Sequence, residues 1–123
     1  MAVRDYRELE VWQQAMELVA EIYARTKDFP KEEMYGLTNQ LRRAAVSIPS
    51  NIAEGQGRRS TKEFLNHLSI ARGSLLELQT QIEIARRLDY LTPSQAEKVN
   101  QCLTTVARLL NGLINALERK LDR

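Results

Sequence analysis

Few side chains in this sequence have the type and spacing that catalysis or metal binding requires. His67 is the only histidine, which excludes a zinc site built from several histidines of one chain. A di-iron centre in a helical bundle uses two Glu-x-x-His motifs, whereas Glu63-x-x-x-His67 occurs once and has a different spacing. We therefore expect no resident metal, no cofactor, no catalytic residue and no enzymatic activity.

The glycines and the single cysteine do not supply a reactive site either. Gly55-Gln56-Gly57 follows no strand pattern, so it does not match a phosphate-binding loop. Cys102 cannot form an internal disulfide, fits a reducing compartment and is expected to be a small packing residue. The N-terminus MAVRDYRELE lacks the apolar segment of a signal peptide, and no apolar run approaches the roughly 18 residues of a membrane span. We expect a cytoplasmic protein without a membrane partner.

One spacing allows a nuclease hypothesis. Lys62-x-x-x-x-His67 resembles the arginine–histidine motif of HEPN helical ribonucleases, with lysine in place of arginine. The alternative is an ordinary histidine on the surface of a helix. We favour this alternative, because no other residue pattern in the sequence supports catalysis.

Basic residues are concentrated in the middle of the chain. Residues 31–62 contain six basic and three acidic side chains, although the net charge of the whole chain is only +2. This excess is compatible with a polyanionic partner such as RNA or DNA, and also with an ordinary solvated surface of mixed charge. The candidate contacts to nucleic acid are six cations: Arg42, Arg58, Arg59, Lys62, Arg86 and Arg87.

Apolar residues recur with helical spacing along almost the whole chain, and no segment alternates as a strand does. The pattern predicts four helices in a single domain spanning residues 1–123, at about 7–27, 32–55, 61–89 and 93–121. Ser60 with Glu63 and Thr92 with Gln95 predict capping boxes at the start of the third and fourth helices. Heptad spacing and short connections predict an all-α, antiparallel up-down-up-down four-helix bundle.

Pro49 lies in the middle of the predicted second helix. The apolar stripe of this helix keeps its phase from Leu37 through Pro49 to Ile52, so we expect a kink rather than an end. The kink either curves the helix around its neighbours or opens a groove for a partner.

Three further features concern packing. In the first helix the predicted core stripe consists of Trp12, Ala15, Met16, Val19, Ile22 and Tyr23. Gly73 lies inside the third helix, where glycine costs about 1 kcal/mol relative to alanine, so we expect a close backbone approach there. Apolar side chains beside the main stripes indicate either a broader core or a subunit interface, and we expect a homo-oligomer because they exceed what one bundle core needs. These are Leu18, Leu76, Ile84, Leu88, Leu109, Ile114 and Leu121.

The stretch from Gln40 to Gly55, QLRRAAVSIPSNIAEG, resembles the signature of a known family. Together with Leu9-x-x-Trp12, Thr26-x-x-Phe29-Pro30 and the segment from Ala71 to Leu78, it is similar to the 23S rRNA-intervening sequence proteins. These are four-helix bundles encoded within intervening sequences of bacterial 23S ribosomal RNA genes. The resemblance implies an up-down bundle that assembles into a five-fold ring, a homopentamer. The family's core residues map here onto Arg43, Ser47, Pro49, Asn51, Glu54 and Gly55, and no catalytic role accompanies them.

The resemblance also implies kinship with the accessory variability protein of diversity-generating retroelements, a basic pentamer that binds nucleic acid and a reverse transcriptase. That protein lacks a close copy of the block at residues 40–55, so its role is carried over by analogy only. Within the block, Glu54 lies in the last turn of the second helix, where the helix dipole disfavours a carboxylate. We expect a cationic partner for it among Arg43, Arg58 and Arg72.

Two classes of function fit these features. The first is a non-enzymatic oligomeric scaffold whose basic surface meets the phosphates of nucleic acid, such as the ribosomal RNA intervening sequence. The second is a protein-interaction module that binds a partner protein, such as a polymerase, without touching nucleic acid. Affinity that falls steeply with salt would indicate the first class, and salt-independent binding to a protein the second.

Overall fold

A computed structural model describes residues 5–122 of the chain. It contains four long helices: α1 (Glu10–Thr26), α2 (Leu37–Gln56), α3 (Thr61–Arg87) and α4 (Pro93–Leu121). Two short 3-10 turns, Tyr6–Glu8 and Lys31–Glu33, precede α1 and α2, and the described residues contain no β-strand. Residues 1–4 and 123 of the expected single domain lie outside the described part. The first four residues of the segment MAVRDYRELE, in which no signal peptide is expected, therefore also lie outside the described part.

Each of the four helices packs against two others. α2 and α4 both contact α1 and α3, and the α2–α3 pair shares the most extensive interface. The predicted all-α four-helix bundle is therefore confirmed. Ser47 of α2 bonds to Ser74 of α3, whereas Asn51, one turn later in α2, bonds to His67, which precedes Ser74 in α3. These two helices therefore run antiparallel. The up-down-up-down order of the whole bundle stays a prediction.

Several helix ends differ from the predicted boundaries, because the backbone leaves the helical region there. Leu9 is extended, with φ −74° and ψ 123°, so α1 begins immediately after it rather than near residue 7. Gly36 has φ −112° and ψ −116°, which separates the turn at residues 31–33 from α2. Asp89 has a left-handed φ of 61°, and α3 ends at Arg87 rather than near residue 89.

Both predicted capping sites start helices, but only one forms the full reciprocal pair. The Thr92 hydroxyl accepts from the Gln95 backbone at 3.1 Å, and the Gln95 side chain accepts from the Thr92 backbone at 3.0 Å. At α3, the Ser60 hydroxyl accepts from the Glu63 backbone at 3.1 Å. The Glu63 carboxylate, however, accepts from the Ser60 hydroxyl rather than from its backbone amide.

The bundle core is filled by apolar side chains from all four helices. In α3 the heptad spacing predicts a core stripe of Phe64, Leu68, Ala71, Leu75, Leu78, Ile82 and Ala85, and in α4 one of Ala96, Val99, Leu103, Val106, Leu110, Leu113 and Leu117. All of these are buried except Phe64, Leu113 and Leu117, which are half-buried. Burying a large aliphatic side chain stabilises a fold by about 1.5–3 kcal/mol, so these positions hold the helices together. The largest fully buried side chains include Leu18, Ile22, Leu41, Ile48, Ile52, Leu68, Leu78, Ile82, Leu103 and Leu110.

In α1 the predicted core stripe is confirmed at Ala15 and Ile22, with Trp12 and Val19 half-buried against the core, but it is wrong at Met16 and Tyr23. Met16 and Tyr23 are each 43% exposed, whereas Leu18, expected beside the stripe, is fully buried. Two overlapping sets of apolar residues match three- and four-residue steps in this helix, so spacing alone does not separate them. Tyr23 consequently lies at the surface. The buried face of α1 consists of Val11, Ala15, Leu18, Ile22 and Thr26.

α2 continues through Pro49 to Gln56 as one helix. Pro49 is buried, and the Asn51 side-chain amide donates to the Ser47 carbonyl at 2.9 Å and to the Ser47 hydroxyl at 3.1 Å. Proline has no amide hydrogen to donate, so side-chain bonds of this kind help to hold the turn that follows it. The size of a kink at Pro49 stays a prediction.

Gly55 allows α2 and α3 to approach closely. A Cβ at Gly55 would lie 2.7 Å from the Cβ of His67 and 3.3 Å from the carbonyl oxygen of Phe64. Gly73, by contrast, is exposed, and a Cβ there would meet nothing within 4 Å. The close approach predicted at Gly73 is therefore wrong within the chain, because that residue faces outward while Gly55 lies under the neighbouring helix.

Gly55→Ala should destabilise the fold by about 1–3 kcal/mol, because the added methyl group must displace His67 and the Phe64 backbone. Urea unfolding followed by circular dichroism measures the change. Gly112→Ala is the matched control, since Gly112 is an exposed helical glycine whose added Cβ would meet nothing within 4 Å. Alanine at Gly112 should raise the stability by up to about 1 kcal/mol. Similar effects of the two substitutions would contradict tight packing at Gly55.

Candidate functional site

The six candidate cations lie in three separate places: Arg42 on α2 beside α1, the group Arg58, Arg59 and Lys62 between α2 and α3, and the pair Arg86 and Arg87 at the end of α3. Because α2 and α3 are antiparallel, the end of α3 lies near the start of α2. The two end groups lie at opposite ends of α3 and are separated by roughly 36 Å along it, at about 1.5 Å per residue. The three places are too far apart for one small anion to contact them all.

The connection between α2 and α3 carries three cations, Arg58, Arg59 and Lys62, here called the α2–α3 corner. Arg58 forms an ion pair with Glu54 at 2.8 Å, so Arg58 is the partner of the carboxylate in the last turn of α2. Arg59 and Lys62 are exposed, and neither side chain has a hydrogen bond or ion pair within residues 5–122. The corner therefore keeps two free cations beside the N-terminus of α3, where backbone amides favour anions.

Arg86 and Arg87 share the carboxylate of Glu83. Arg86 donates to it from Nε at 3.0 Å and from a terminal nitrogen at 2.7 Å, and Arg87 donates from Nε at 2.8 Å. The hydrogen bonds from Arg86, which have the largest effect, and the hydrogen bond from Arg87 lower the pKa of Glu83 to about 2. Glu83 is thus ionised at neutral pH and neutralises part of the charge that this pair offers to a phosphate.

Arg42 is held against α1 by two contacts. Its Nε donates to the Thr26 hydroxyl at 2.9 Å, and its guanidinium carbon lies 4.6 Å from the centre of the Tyr23 ring. Arg42 therefore has a defined orientation, whereas Arg59 has no partner that fixes it. The surrounding surface is an open groove of about 520 Å³, here called the Arg42 groove and lined by Tyr23, Asn39, Arg42, Arg43, Val46 and Ser47.

A chain of hydrogen bonds joins α2 to α3 near Pro49. The Asn51 side-chain oxygen lies 3.1 Å from Nδ1 of His67, and the hydroxyls of Ser47 and Ser74 are 2.8 Å apart. Because the Asn51 amide nitrogen already donates to Ser47, its oxygen is the acceptor, so Nδ1 of His67 carries the hydrogen. This bond occupies Nδ1 of the histidine that the nuclease hypothesis requires.

Cys102 is a half-buried thiol on α4. Burial, and secondarily the Glu21 carboxylate, raise the pKa of the Cys102 thiol, which disfavours the nucleophilic thiolate. Between residues 5 and 122, no three or more His, Cys, Asp or Glu side chains are grouped so that they could hold a metal ion. None of the helices in this range combines the length and apolar character that crossing a bilayer requires.

Comparison with known families places the chain. The sequence model of the 23S rRNA-intervening sequence proteins matches residues 7–112. The chain belongs to this family. It is similar to the crystal structure of a protein of unknown function from the S23 ribosomal protein family of Bacteroides thetaiotaomicron VPI-5482, with a TM-score of 0.76 and 27% identity. The match covers 85% of this chain and 97% of that one. Comparison with curated proteins found no match.

Three residues of the family block recur at four-residue spacing and face α3: Ser47, Asn51 and Gly55. The first two hydrogen-bond to α3, and the third admits its backbone. This part of the block therefore serves helix packing. The remaining residues mapped from the family are Pro49, which is buried within α2, Glu54, which pairs with Arg58, and Arg43, which is exposed in the Arg42 groove.

Sequence reasoning missed Tyr23 and Thr26 as partners of Arg42. Helical spacing places Tyr23 in the predicted core. Thr26 is singled out in the sequence only as part of Thr26-x-x-Phe29-Pro30, which resembles the family. A usable signal existed, because residues three apart lie on one face of a helix and an arginine from a neighbouring helix reaches both. Which arginine lies opposite them is set by helix packing, and periodicity does not reveal it.

Asn51→Ala should destabilise the fold by about 1–3 kcal/mol, because it removes the acceptor of half-buried His67 and the donor to Ser47. Thermal unfolding measures the effect. Asn111→Ala is the matched control, since Asn111 is exposed on α4 and has no hydrogen bond within residues 5–122. If the two variants unfold alike, the network does not stabilise the α2–α3 interface.

Proposed function

We propose that this chain is a non-enzymatic cytoplasmic scaffold that assembles into a homopentamer and holds nucleic acid with its basic surface. The nucleic acid is the ribosomal RNA intervening sequence or a similar RNA or DNA. The observation that carries the proposal is an apolar strip on the outer face of α3. The number of five copies rests on the resemblance, which implies a five-fold ring. Kinship with the accessory variability protein supports nucleic-acid binding by analogy.

The outer face of α3 carries large exposed apolar side chains among polar ones such as Thr80 and Arg87. Ile70 is 49% exposed, Leu76 57% and Ile84 43%, and with Leu88 they are here called the α3 strip. At about 100° of helix rotation per residue, these positions point away from the buried heptad face of the same helix. Exposed apolar surface of this extent is typical of a protein interface. In the proposed assembly a second copy covers it.

A ring requires two different surfaces on each copy, because identical surfaces give two-fold pairs. An apolar groove between α1 and α2 supplies another surface. It is lined by Tyr6, Trp12, Met16, Val19, Val46, Pro49, Ser50 and Ala53. The α3 strip and this groove lie on different helices, so an association between them would run head to tail, as a closed ring demands.

Binding of nucleic acid is supported by the free cations of the α2–α3 corner. Arg59 and Lys62 have no intramolecular partner within the described residues, so no internal ion pair has to break before a phosphate binds. A pentamer repeats the corner five times, and repetition raises the overall affinity of individually weak contacts.

The second candidate function is a protein-interaction module. The apolar groove between α1 and α2 has the character of a site for an amphipathic helix of a partner, such as a polymerase. In that case the arginines only keep the surface solvated. Binding to the partner would then change little with salt, whereas binding to nucleic acid falls steeply with salt.

Leu76→Glu should convert the assembly into monomers of 14.1 kDa. A carboxylate in the α3 strip has to lose its water when the interface closes, which costs free energy. Sedimentation at micromolar concentration measures the change. Met34→Glu is the control, since Met34 is 56% exposed but lies between α1 and α2, and this variant should assemble as the wild type does. A monomeric wild-type protein would overturn the assembly.

The double substitution Arg58→Ala with Arg59→Ala should weaken binding to a structured RNA hairpin while fold and assembly stay intact. Each lost phosphate contact should lower the slope of log affinity against log salt by roughly one unit. Because Arg58 is engaged with Glu54, Arg59→Ala alone should account for most of the change. Fluorescence anisotropy at several salt concentrations, beside melting temperatures, measures both effects.

The control for the corner is Arg108→Ala with Arg119→Ala, which removes the same charge from exposed positions of α4. Its salt slope should equal that of the wild type. An unchanged slope in the corner variant would remove the α2–α3 corner from the interface. A lower melting temperature with an unchanged slope would instead identify the arginines as structural partners of Glu54.

A further inference from the structure

Arg42 is oriented before any ligand arrives. The Thr26 hydroxyl donates its hydrogen to the Ile22 carbonyl at 2.7 Å, and Thr26 is only 3% exposed. Its oxygen therefore presents a lone pair in a fixed direction, and Arg42 Nε donates to it at 2.9 Å. The Tyr23 ring, 4.6 Å from the guanidinium carbon, restricts the plane of the group. The two contacts together fix both the position and the plane of the guanidinium.

These contacts leave the two terminal nitrogens of Arg42 without a partner in the described part of the chain. A pair of terminal guanidinium nitrogens matches two oxygens of one phosphate, which then accepts two parallel hydrogen bonds. Because the side chain is already ordered, binding costs less conformational freedom than binding by an unrestrained arginine. The structure thus presents a prepared edge for an oxyanion.

The rest of the Arg42 groove suits an anion. Its lining contains a second cation, Arg43, and the polar side chains of Asn39 and Ser47, but no aspartate or glutamate. Arg43 is exposed and has no ion pair within residues 5–122, so its charge is available. The volume of about 520 Å³ is comparable to small-ligand sites, which measure about 300–1,000 Å³.

We propose that the Arg42 groove is a phosphate-binding site, in which Arg42 holds two oxygens of one phosphate and Arg43 adds a second positive charge. In the assembled scaffold the phosphate belongs to the RNA backbone, and this source rests on the proposed function. The site itself does not depend on that source. The Arg42 groove adjoins the apolar groove near Trp12, because Val46 lines both, but Arg42 and Arg43 line only the Arg42 groove.

The test uses the full chain with two probes, a structured RNA hairpin and inorganic diphosphate. Arg42→Lys keeps the charge and loses the paired nitrogens, so affinity for both probes should fall about tenfold with an unchanged salt slope for RNA. Thr26→Val removes the acceptor that orients Arg42, together with the bond from the Thr26 hydroxyl to the Ile22 carbonyl, and it should weaken the binding of both probes about threefold. Arg108→Lys on α4 is the control for the exchange itself and should bind as the wild type does.

A matched pair at Tyr23 tests the aromatic contact. Tyr23→Phe keeps the ring under the guanidinium and should bind both probes as the wild type does. Tyr23→Leu removes the ring and should weaken the binding of both probes. In the wild-type protein, diphosphate should also shift the NMR resonance of the Arg42 Nε–H, which reports the site without any substitution. The absence of this shift overturns the proposal, whatever the variants do.

The outcomes separate this site from the proposed function. Diphosphate binding that depends on Arg42, with no binding of RNA, supports the site and overturns nucleic-acid binding by the scaffold. RNA binding that is lost in the corner variant, with wild-type affinity of Arg42→Lys for both probes, overturns the site and leaves the proposed function standing. A tenfold fall in the affinity of Arg42→Lys for both probes, with an unchanged melting temperature, supports both the site and the proposed function.

Discussion

The close contact of α2 with α3 along Ser47, Asn51 and Gly55 is the constraint on which the rest of the structure depends. Gly55 has no side chain where α3 lies over α2, and the two polar residues bond across the same interface. A proline inside a helix costs about 3 kcal/mol, so α2 needs contacts of this kind to continue past Pro49. Because the continuation reaches Gln56, the connection to α3 is short and carries the α2–α3 corner directly onto the first turn of α3.

The parts of the fold that could be predicted from the sequence are those in which one apolar stripe stands alone. α3 and α4 each have a single heptad pattern, and their burial follows it from Leu68 to Ala85 and from Ala96 to Leu110. α1 offers two overlapping patterns, and only its packing against α2 and α4 decides between them. The sequence also does not reveal which helical glycine is needed for packing. Gly55 and Gly73 both lie inside helices, yet only the position of the neighbouring helix makes the first one necessary.

The cations of the candidate site divide in a similar way. Glu54 with Arg58, and Glu83 with Arg86 and Arg87, are neighbours at three- or four-residue spacing, so helix geometry alone indicates that these arginines are partly neutralised. The contact between Arg42 and Thr26 joins residues sixteen positions apart and requires the fold. The sequence therefore allows a prediction of which cations are engaged locally, but not of which one is oriented by another helix.

The packing residues of the family block and the Arg42 groove are mechanically connected, because α2 is one helix from Leu37 to Gln56. A shift of register by one residue would rotate α2 by about 100° and carry Arg42 away from Tyr23 and Thr26. The bonds of Ser47 and Asn51 to α3 prevent such a rotation, since both would break. A block that packs against α3 through Ser47, Asn51 and Gly55 thus also sets the direction of an arginine on the side that faces α1. The block contains both features in one continuous stretch because a rigid helix transmits the register of one face to the other.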